Sequence, residues 1–406
     1  MSVLSRLRLL DAGESHGPEL TAILDGLPAG LPVDVEAVDF ELARRQRGFG
    51  SGGRMRIEKD RAQLTAGVLA GRTTGAPVAL RVANLDWKNW SDRDITPLTV
   101  PRPGHADLTS ALKHGHDDLR LSLERASARN TATRVAAGAL CKQLLGSFGI
   151  RIGGHVTSLG SIDLGLSRDE ADEDELAARA QRALDDDLCC PVPELHDALH
   201  EEIRRTMKAK DTLGGTFEVF ALGLPPGLGS HSEWDRRLDG RLAQAMLGIQ
   251  AMKGVEIGPA FELSTRRGSN AHDDLFVEDD GRLVRKTNRC GGLEGGITNG
   301  SPLVVRVAMK PIATTLAPRQ SVDLVSGEAT ETVYERSDFC ALPRAVPIGE
   351  AMLALVLADA LLEKLGGDSL AEMTPRFEAL PQSRLSDVSL HGQTWRFLPE
   401  ATDDPS

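Results

Sequence analysis

Two histidines carry the first chemical signal in this chain. His16 lies in Gly13-Glu14-Ser15-His16-Gly17, and His105 lies in Arg102-Pro103-Gly104-His105-Ala106-Asp107. Histidine titrates near neutrality, so either ring can deliver or accept a proton in a cell. A third segment, Glu124-Arg125-Ala126-Ser127-Ala128-Arg129, sets arginines among small residues just before a predicted helix. Ser127 can cap that helix, and the exposed N–H groups of its first turn favour an anion. Arginine there opposes the helix dipole, which a bound phosphate or carboxylate would explain. The plainer alternative is a surface pairing with Glu124. Together these groups describe a pocket for a small, highly anionic molecule.

Four motifs compete with that reading. Gly13–Gly17 also fits G-x-S-x-G, the elbow of a serine hydrolase with Ser15 as nucleophile. An elbow needs a strand before it and a helix after it, whereas Pro18 and an extended segment follow here. Gly48-Phe49-Gly50-Ser51-Gly52-Gly53 matches G-x-G-x-x-G, but a helix precedes it and a strand follows, the reverse of a dinucleotide fingerprint. Set among Arg44, Arg45, Arg47 and Arg54, it reads better as a loop that closes over an anion. His196-Asp197-Ala198-Leu199-His200 spaces two imidazoles one helical turn apart, as in zinc proteases. Asp stands where the catalytic Glu belongs and no third ligand is evident, so a solvated face is the expectation. Lys113-His114-Gly115-His116 reads as a polar loop near the site, and no metal is expected.

The elements that must position these groups are mixed. Residues 6–12, 19–26, Arg54–Glu58, Pro77–Val82, Phe217–Leu224 and Pro302–Met309 read as strands. Residues 36–47, Arg129–Ser147, Arg236–Met252 and Pro347–Leu365 read as helices, the last ending at Gly366-Gly367. Residues 168–210 read as solvated helix broken near Cys190–Pro193. Asn84–Leu108 is polar and Pro-rich, a long loop of the kind that carries function. Gly291–Gly300 is too rich in glycine for a strand and suits close approach to a flat ligand. No regular βαβ rhythm is present. The fold class is therefore α+β with antiparallel sheets in one large domain over 1–398, with a polar, frayed tail at 399–406.

Composition narrows the partners. A chain of 406 residues with 41% hydrophobic and 26% charged residues can build a sizeable core. Its net charge of -12 and 4% aromatic content argue against nucleic acid as a partner. Cys141, Cys189, Cys190, Cys290 and Cys340 show no disulfide or zinc-ribbon spacing, which fits the cytoplasm. Early arginines interrupt any signal-peptide core, and no apolar run near the ~18 residues of a membrane span is expected.

Taken in order, these segments resemble the chorismate synthase family from Arg6 to about Arg376. The carrying motifs are Gly13–Gly17, Arg44-Arg45-Gln46 with the glycine loop, Arg102–Asp107 and Glu124–Arg129. Met246–Gly258, Gly291–Gly300, Lys310–Thr314 and Arg336-Ser337-Asp338 complete them. The resemblance implies a β-α-β sandwich with helices between antiparallel sheets, and a homotetramer. It implies anti-1,4-elimination of phosphate from 5-enolpyruvylshikimate 3-phosphate to give chorismate, with reduced FMN required and no net redox change. His16 would then protonate the leaving phosphate, and His105 would sit by the flavin N1 side. Asp338 would assist proton removal through flavin N5. Ser15, Arg45, Ser51, Arg102, Arg129 and Arg336 would bind substrate. Ala126, Ser127, Ala128, Gln250, Ala251, Gly296, Lys310, Pro311, Ile312, Ala313, Thr314 and Arg336 would line the flavin. No nicotinamide fingerprint accompanies them, so an external, NADPH-linked system is expected to reduce the flavin.

Two positions depart from the family pattern. Ser51 stands where many members carry arginine, and Asn130 where glutamate is usual. Arg47, on the same loop, is the expected replacement for the missing cation. A flavin-binding paralogue with a changed substrate, or a flavin binder without activity, remains an alternative at this point, as does hydrolysis at Ser15.

Overall fold

The structure is a computed structural model and describes residues 4–51, 59–167, 169, 172–335 and 337–395. The expected strand at Arg54–Glu58, the tail at 399–406, and Arg336 lie outside the described residues.

Two antiparallel sheets carry the fold. In the first, β1 (Arg8–Ala12), β2 (Glu19–Asp25), β3 (Ala62–Ala66) and β4 (Val78–Ala83) lie in the order β1-β2-β4-β3. In the second, β5 (Arg151–Leu159), β6 (Ile162–Asp163), β7 (Gly215–Leu222), β8 (Met252–Ile257) and β9 (Leu303–Met309) lie in the order β8-β9-β7-β5-β6. Strand β2 alternates buried Leu20, Ala22 and Leu24 with more open neighbours, the mark of a sheet covered on one side. Strand β7 does not alternate as predicted: from Phe217 to Leu222 every residue is buried. Both of its faces are covered, so a continuous apolar run replaces alternation.

The helices are α1 (Val35–Gln46), α2 (Asp107–His114), α3 (Leu119–Ala126), α4 (Thr131–Gly146), α5 (Glu173–Asp185) and α6 (His196–Lys208). They continue with α7 (Leu238–Leu247), the single turn α8 (Ala260–Leu263), α9 (Leu342–Leu365) and α10 (Leu370–Glu378). Helix α4 packs on β2 and β4, α9 packs on β5 and β7, and α4 and α9 pack on each other. At their crossing a Cβ on Gly138 would lie 2.4 Å from Ala351 Cβ, so only glycine permits this approach.

Three sequence expectations need correction. The helix predicted over Arg236–Met252 is shorter, and Met252 opens β8 instead. Gly291–Gly300 does contain strand: Leu293–Glu294 pairs with Ile297–Thr298 in a tight hairpin. Helix α9 begins at Leu342, five residues before the predicted start, and runs through Pro347. Proline cannot donate to the carbonyl four residues back. The Cys189 thiol takes that duty, donating to Pro343 O at 3.4 Å. Burial pushes this thiol up to about 12, so it stays a protonated donor.

Helix α9 is the one described helix long and apolar enough to cross a membrane by length and composition, although Arg344, Glu350 and Asp359 interrupt it. Nearly all of it is buried inside the fold, which makes it the central core helix.

Two acids interrupt its apolar surface, and both are fully paired. Asp359 accepts the backbone N–H groups of Ser5, Arg6 and Leu7 at 2.8, 2.7 and 2.6 Å and pairs with Arg241. Glu350 receives Arg44 at 2.6 and 2.8 Å and Lys142 at 2.6 Å. Burial alone would raise the Glu350 pKa, but these two cations hold it well below the usual carboxylate range. A depressed folded pKa stabilises the fold above the unfolded value of about 4.3, and the contribution fades as pH falls below that. Glu350→Gln is therefore expected to destabilise the protein by about 3–5 kcal/mol at pH 7, because two buried cations lose their partner. Urea unfolding from pH 7 to pH 3 should show the gap to the parent narrowing in acid. A constant gap would mean that Glu350 does not titrate with folding.

Candidate active site

A cavity of about 420 Å³ opens where the two sheets and the central helices meet, within the range of small-molecule sites. The Gly13–Gly17 turn between β1 and β2 supplies Ser15 and His16, and the end of α1 supplies Arg45. The loop after β4 gives Trp90, Arg102 and His105, and the junction of α3 and α4 gives Ala126–Arg129. Gln250 and Ala251 precede β8, Lys310 and Ile312–Thr314 follow β9, and Asp338 and Arg344 sit at the start of α9.

Each histidine is oriented by a carboxylate. His16 Nδ1 stands 2.7 Å from Glu124 Oε1, and the His16 backbone N–H donates to Glu124 Oε2 at 2.8 Å. Burial opposes ionisation of Glu124, but its bonds to His16 hold the pKa below the usual range. A carboxylate at Nδ1 fixes the proton there and leaves Nε2 for chemistry. The indole of Trp90 covers the His16 ring at 4.0 Å between centroids. His105 Nδ1 stands 2.6 Å from Asp107 Oδ1, and the same carboxylate accepts Arg102 Nε at 2.8 Å. Asp107 is fully buried, which would raise its pKa, yet His105 and Arg102 hold it far below the usual range.

The arginines are held as firmly. Arg45 is 2% exposed and donates to Thr131 Oγ1 and to Ala128 O, both at 2.9 Å. Asp60 lies between Arg45, at 3.5 Å, and Arg129, at 2.5 Å. Arg102 also donates to Thr314 Oγ1 at 2.9 Å, tying the His105 loop to the segment after β9. Lys310 Nζ donates to Gly104 O at 2.5 Å across the same gap. Asp338 is paired with Arg344, whose Nε donates to Arg45 O at 2.9 Å.

Most of the predicted site residues converge. His16, His105, Asp338, Ser15, Arg45, Arg102 and Arg129 line one cavity with Ala126, Ser127, Ala128, Gln250, Ala251, Lys310, Ile312, Ala313 and Thr314. Ser127 caps the turn as expected, accepting Arg129 N–H at 3.2 Å. Others lie elsewhere. Gly296 lies outside the cavity lining and packs against Arg237, where a Cβ would come within 2.8 Å. Pro311 packs beside Gly214. Ser51 turns back on its own loop and donates to Gly48 O at 2.6 Å. Arg47 lies over Phe40 at 5.8 Å and is not among the residues that line the cavity. Arg125 pairs with Asp11 on the outside, and His116 bonds Ser122 Oγ at 2.9 Å away from the cavity.

Three groups escaped the sequence reading. Arg344 in the first turn of α9 opposes the helix dipole, the same signal read at Arg129, and could have been found. Trp90 was visible only as an aromatic residue in a polar loop. Asp60 left no local trace, because its role depends on two partners from other elements.

The turn around Ser15 settles the hydrolase question. Strand β2 follows it rather than a helix, and β1 and β2 pair antiparallel. Gly13 has a φ of +118°, and a Cβ there would lie 2.6 Å from Glu19 O, so its glycine serves a tight hairpin. Ser15 Oγ donates to Ser127 Oγ at 3.0 Å.

A family model described as chorismate synthase matches residues 7–362. The chain belongs to the chorismate synthase family. It is 51% identical over 387 residues to chorismate synthase of Aquifex aeolicus, covering 92% of this chain and 97% of that one. It is 52% identical over 376 residues to the enzyme of Desulforudis audaxviator, covering 90% and 95%. A crystal structure of chorismate synthase matches with a TM-score of 0.77 and 46% identity, over 92% of this chain and 97% of that one. Family membership makes this a carbon–oxygen lyase of the shikimate pathway and of aromatic amino acid biosynthesis, acting on a small anionic substrate. Its cofactor is reduced FMN.

The cavity suits such a cofactor. Ala126, Ala128, Ala251 and Ala313 leave a shallow apolar wall for a flat ring. Gln250 Oε1 is buried in the wall with no partner among the described residues, so it can accept from a bound group. Lys310 and Thr314 supply polar contacts beside it. The orienting role of Glu124 is testable. Glu124→Gln keeps the shape and removes the charge that sets the His16 tautomer. Turnover should fall about 10²-fold, with little change in the Michaelis constant. Unchanged turnover would show that His16 needs no such partner.

Proposed function

We propose that this cavity carries out the anti-1,4-elimination of phosphate from 5-enolpyruvylshikimate 3-phosphate, giving chorismate, with His16, His105 and Asp338 as its catalytic groups. The observation that carries this reading is the convergence of two carboxylate-oriented histidines with four arginines and a lysine on one cavity. The substrate bears a phosphate and two carboxylates, and such a set of cations matches it.

In this reading Arg45, Arg102, Arg129 and Arg344 bind the anionic groups of the substrate. Arg344 supplies the cation that Ser51 does not. His16 holds its transferable proton at Nε2, because Glu124 occupies Nδ1, and gives it to the departing phosphate oxygen. Trp90 shields that ring from water. His105 is held by Asp107 beside the cofactor wall. Asp338, paired with Arg344, holds a carboxylate ready to take up the ring proton lost in the reaction. Ala126–Ala128, Gln250, Ala251, Lys310 and Ile312–Thr314 would hold the flavin. When bound, reduced FMN supplies an electron-rich ring, with no net redox change over the reaction.

The broader proposals follow from the same reading. The sheet, helix and sheet contacts support a β-α-β sandwich, and one hydrophobic cluster from Leu7 to Met373 supports a single catalytic domain over 1–398. A homotetramer, a cytoplasmic location and reduction of the flavin by an external system complete it. The described cysteines are all free thiols, which supports a reducing compartment.

The test is an anaerobic assay with chemically reduced FMN. Phosphate and chorismate should appear in equal amounts, and only with reduced flavin. His16→Ala should slow both by 10²–10⁴-fold without loss of flavin binding. Tight flavin binding without phosphate release in the parent would instead favour a paralogue with another substrate.

A further inference from the structure

Away from the cavity, the N-terminus of α6 and the end of α5 assemble a second chemical cluster. His196 and His200 lie one turn apart on α6, with ring centroids 4.4 Å apart. The loop after α5 brings Asp187 to them, so that one donor atom from each of the three residues lies within 4.8 Å of the others. His200 Nε2 stands 3.0 Å from Asp187 Oδ1. The third ligand missing from the sequence motif thus comes from a neighbouring loop.

We propose that Asp187, His196 and His200 form a binding site for a divalent transition cation of the zinc class. Two imidazoles and a carboxylate are borderline donors suited to such an ion. Zinc–nitrogen bonds of about 2.0–2.1 Å place tetrahedral ligands roughly 3.3 Å apart, so small side-chain rotations close the site. A further carboxylate orients it. Asp186 Oδ2 lies 2.6 Å from His196 Nδ1, while its Oδ1 accepts Leu188 N–H at 2.7 Å and Cys190 N–H at 3.1 Å. A carboxylate so fixed keeps the proton on Nδ1 and turns Nε2 outward as a ligand, as behind many metal-bound histidines. Three protein donors leave the remaining position to water, which Asp187 on the exposed side permits.

The site adjoins the glycine loop. The Phe49 ring packs on His200 at 4.3 Å, and a Cβ on Gly50 would lie 3.0 Å from Ile203 of α6. Gly50 O accepts Phe339 N–H at 2.9 Å, one residue beyond Asp338. A bound ion would brace α6 beneath this loop.

The experiment titrates metal-free, full-length protein with Zn²⁺ against a chromophoric chelator. The parent should take up one strongly held equivalent, and Co²⁺ should give visible absorption bands of low-coordinate geometry. His196→Gln, at a half-exposed position, and Asp187→Asn should each abolish that equivalent while far-ultraviolet circular dichroism stays unchanged. Asp186→Asn should weaken it about 10–100-fold. Zn²⁺ should raise the thermal midpoint of the parent and not of His196→Gln. A parent that does not compete for zinc overturns the proposal. So does zinc uptake that survives both substitutions, because the ion would then sit on other residues.

Discussion

The carboxylate of Asp60 lies between the guanidinium groups of Arg45 and Arg129, all three no more than 5% exposed. Cations cannot be gathered in a low-dielectric wall without such compensation, since their desolvation would exceed any gain from packing. The same solution recurs around the cavity. Asp107 stands behind Arg102, and Asp338 beside Arg344. The cavity is thus neither a bare cluster of positive charge nor a neutral pocket. Its cations are present in advance, held by partners that fix their positions. An incoming phosphate meets donors that need little reorganisation, which is where electrostatic catalysis gains most.

That arrangement depends on the core beneath it. Arg45 leaves the end of α1, Arg129 opens the turn before α4, and Arg344 lies in the first turn of α9. These three helices pack against one another, so the relative placement of the guanidinium groups is set by helix contacts. The close α4–α9 crossing at Gly138 and the Arg44–Glu350–Lys142 cluster hold the same triangle. Site geometry and core packing are therefore one problem in this protein. A change that separates α4 from α9 shifts the anion donors as well.

Much of this was legible in the sequence where a local signal existed. The helices from Thr131 and Val35 follow from periodicity, and most residues of the chemical motifs meet at one cavity. Failures arose where long-range contacts decide local form. Strand β7 lost its alternation because both faces are covered, and α9 passed through Pro347 because a thiol from elsewhere satisfies the freed carbonyl. Arg47 was near the site in sequence and outside it in space, while Arg344 was remote in sequence and inside it. Asp187 completed a histidine pair that looked incomplete along the chain.

The bonds from the backbone of Ser5, Arg6 and Leu7 to Asp359 carry a consequence for synthesis. Leu7 and its acceptor are 352 residues apart in the chain. At translation rates of about 5–20 residues per second, the acceptor emerges roughly 20–70 s after the donors. Helix α9, which fills the centre of the fold, emerges in the same late interval. The nascent chain must therefore wait with an unfilled interior and untied leading residues. Folding on the ribosome cannot finish from the leading end, and closure is a late event for the whole molecule.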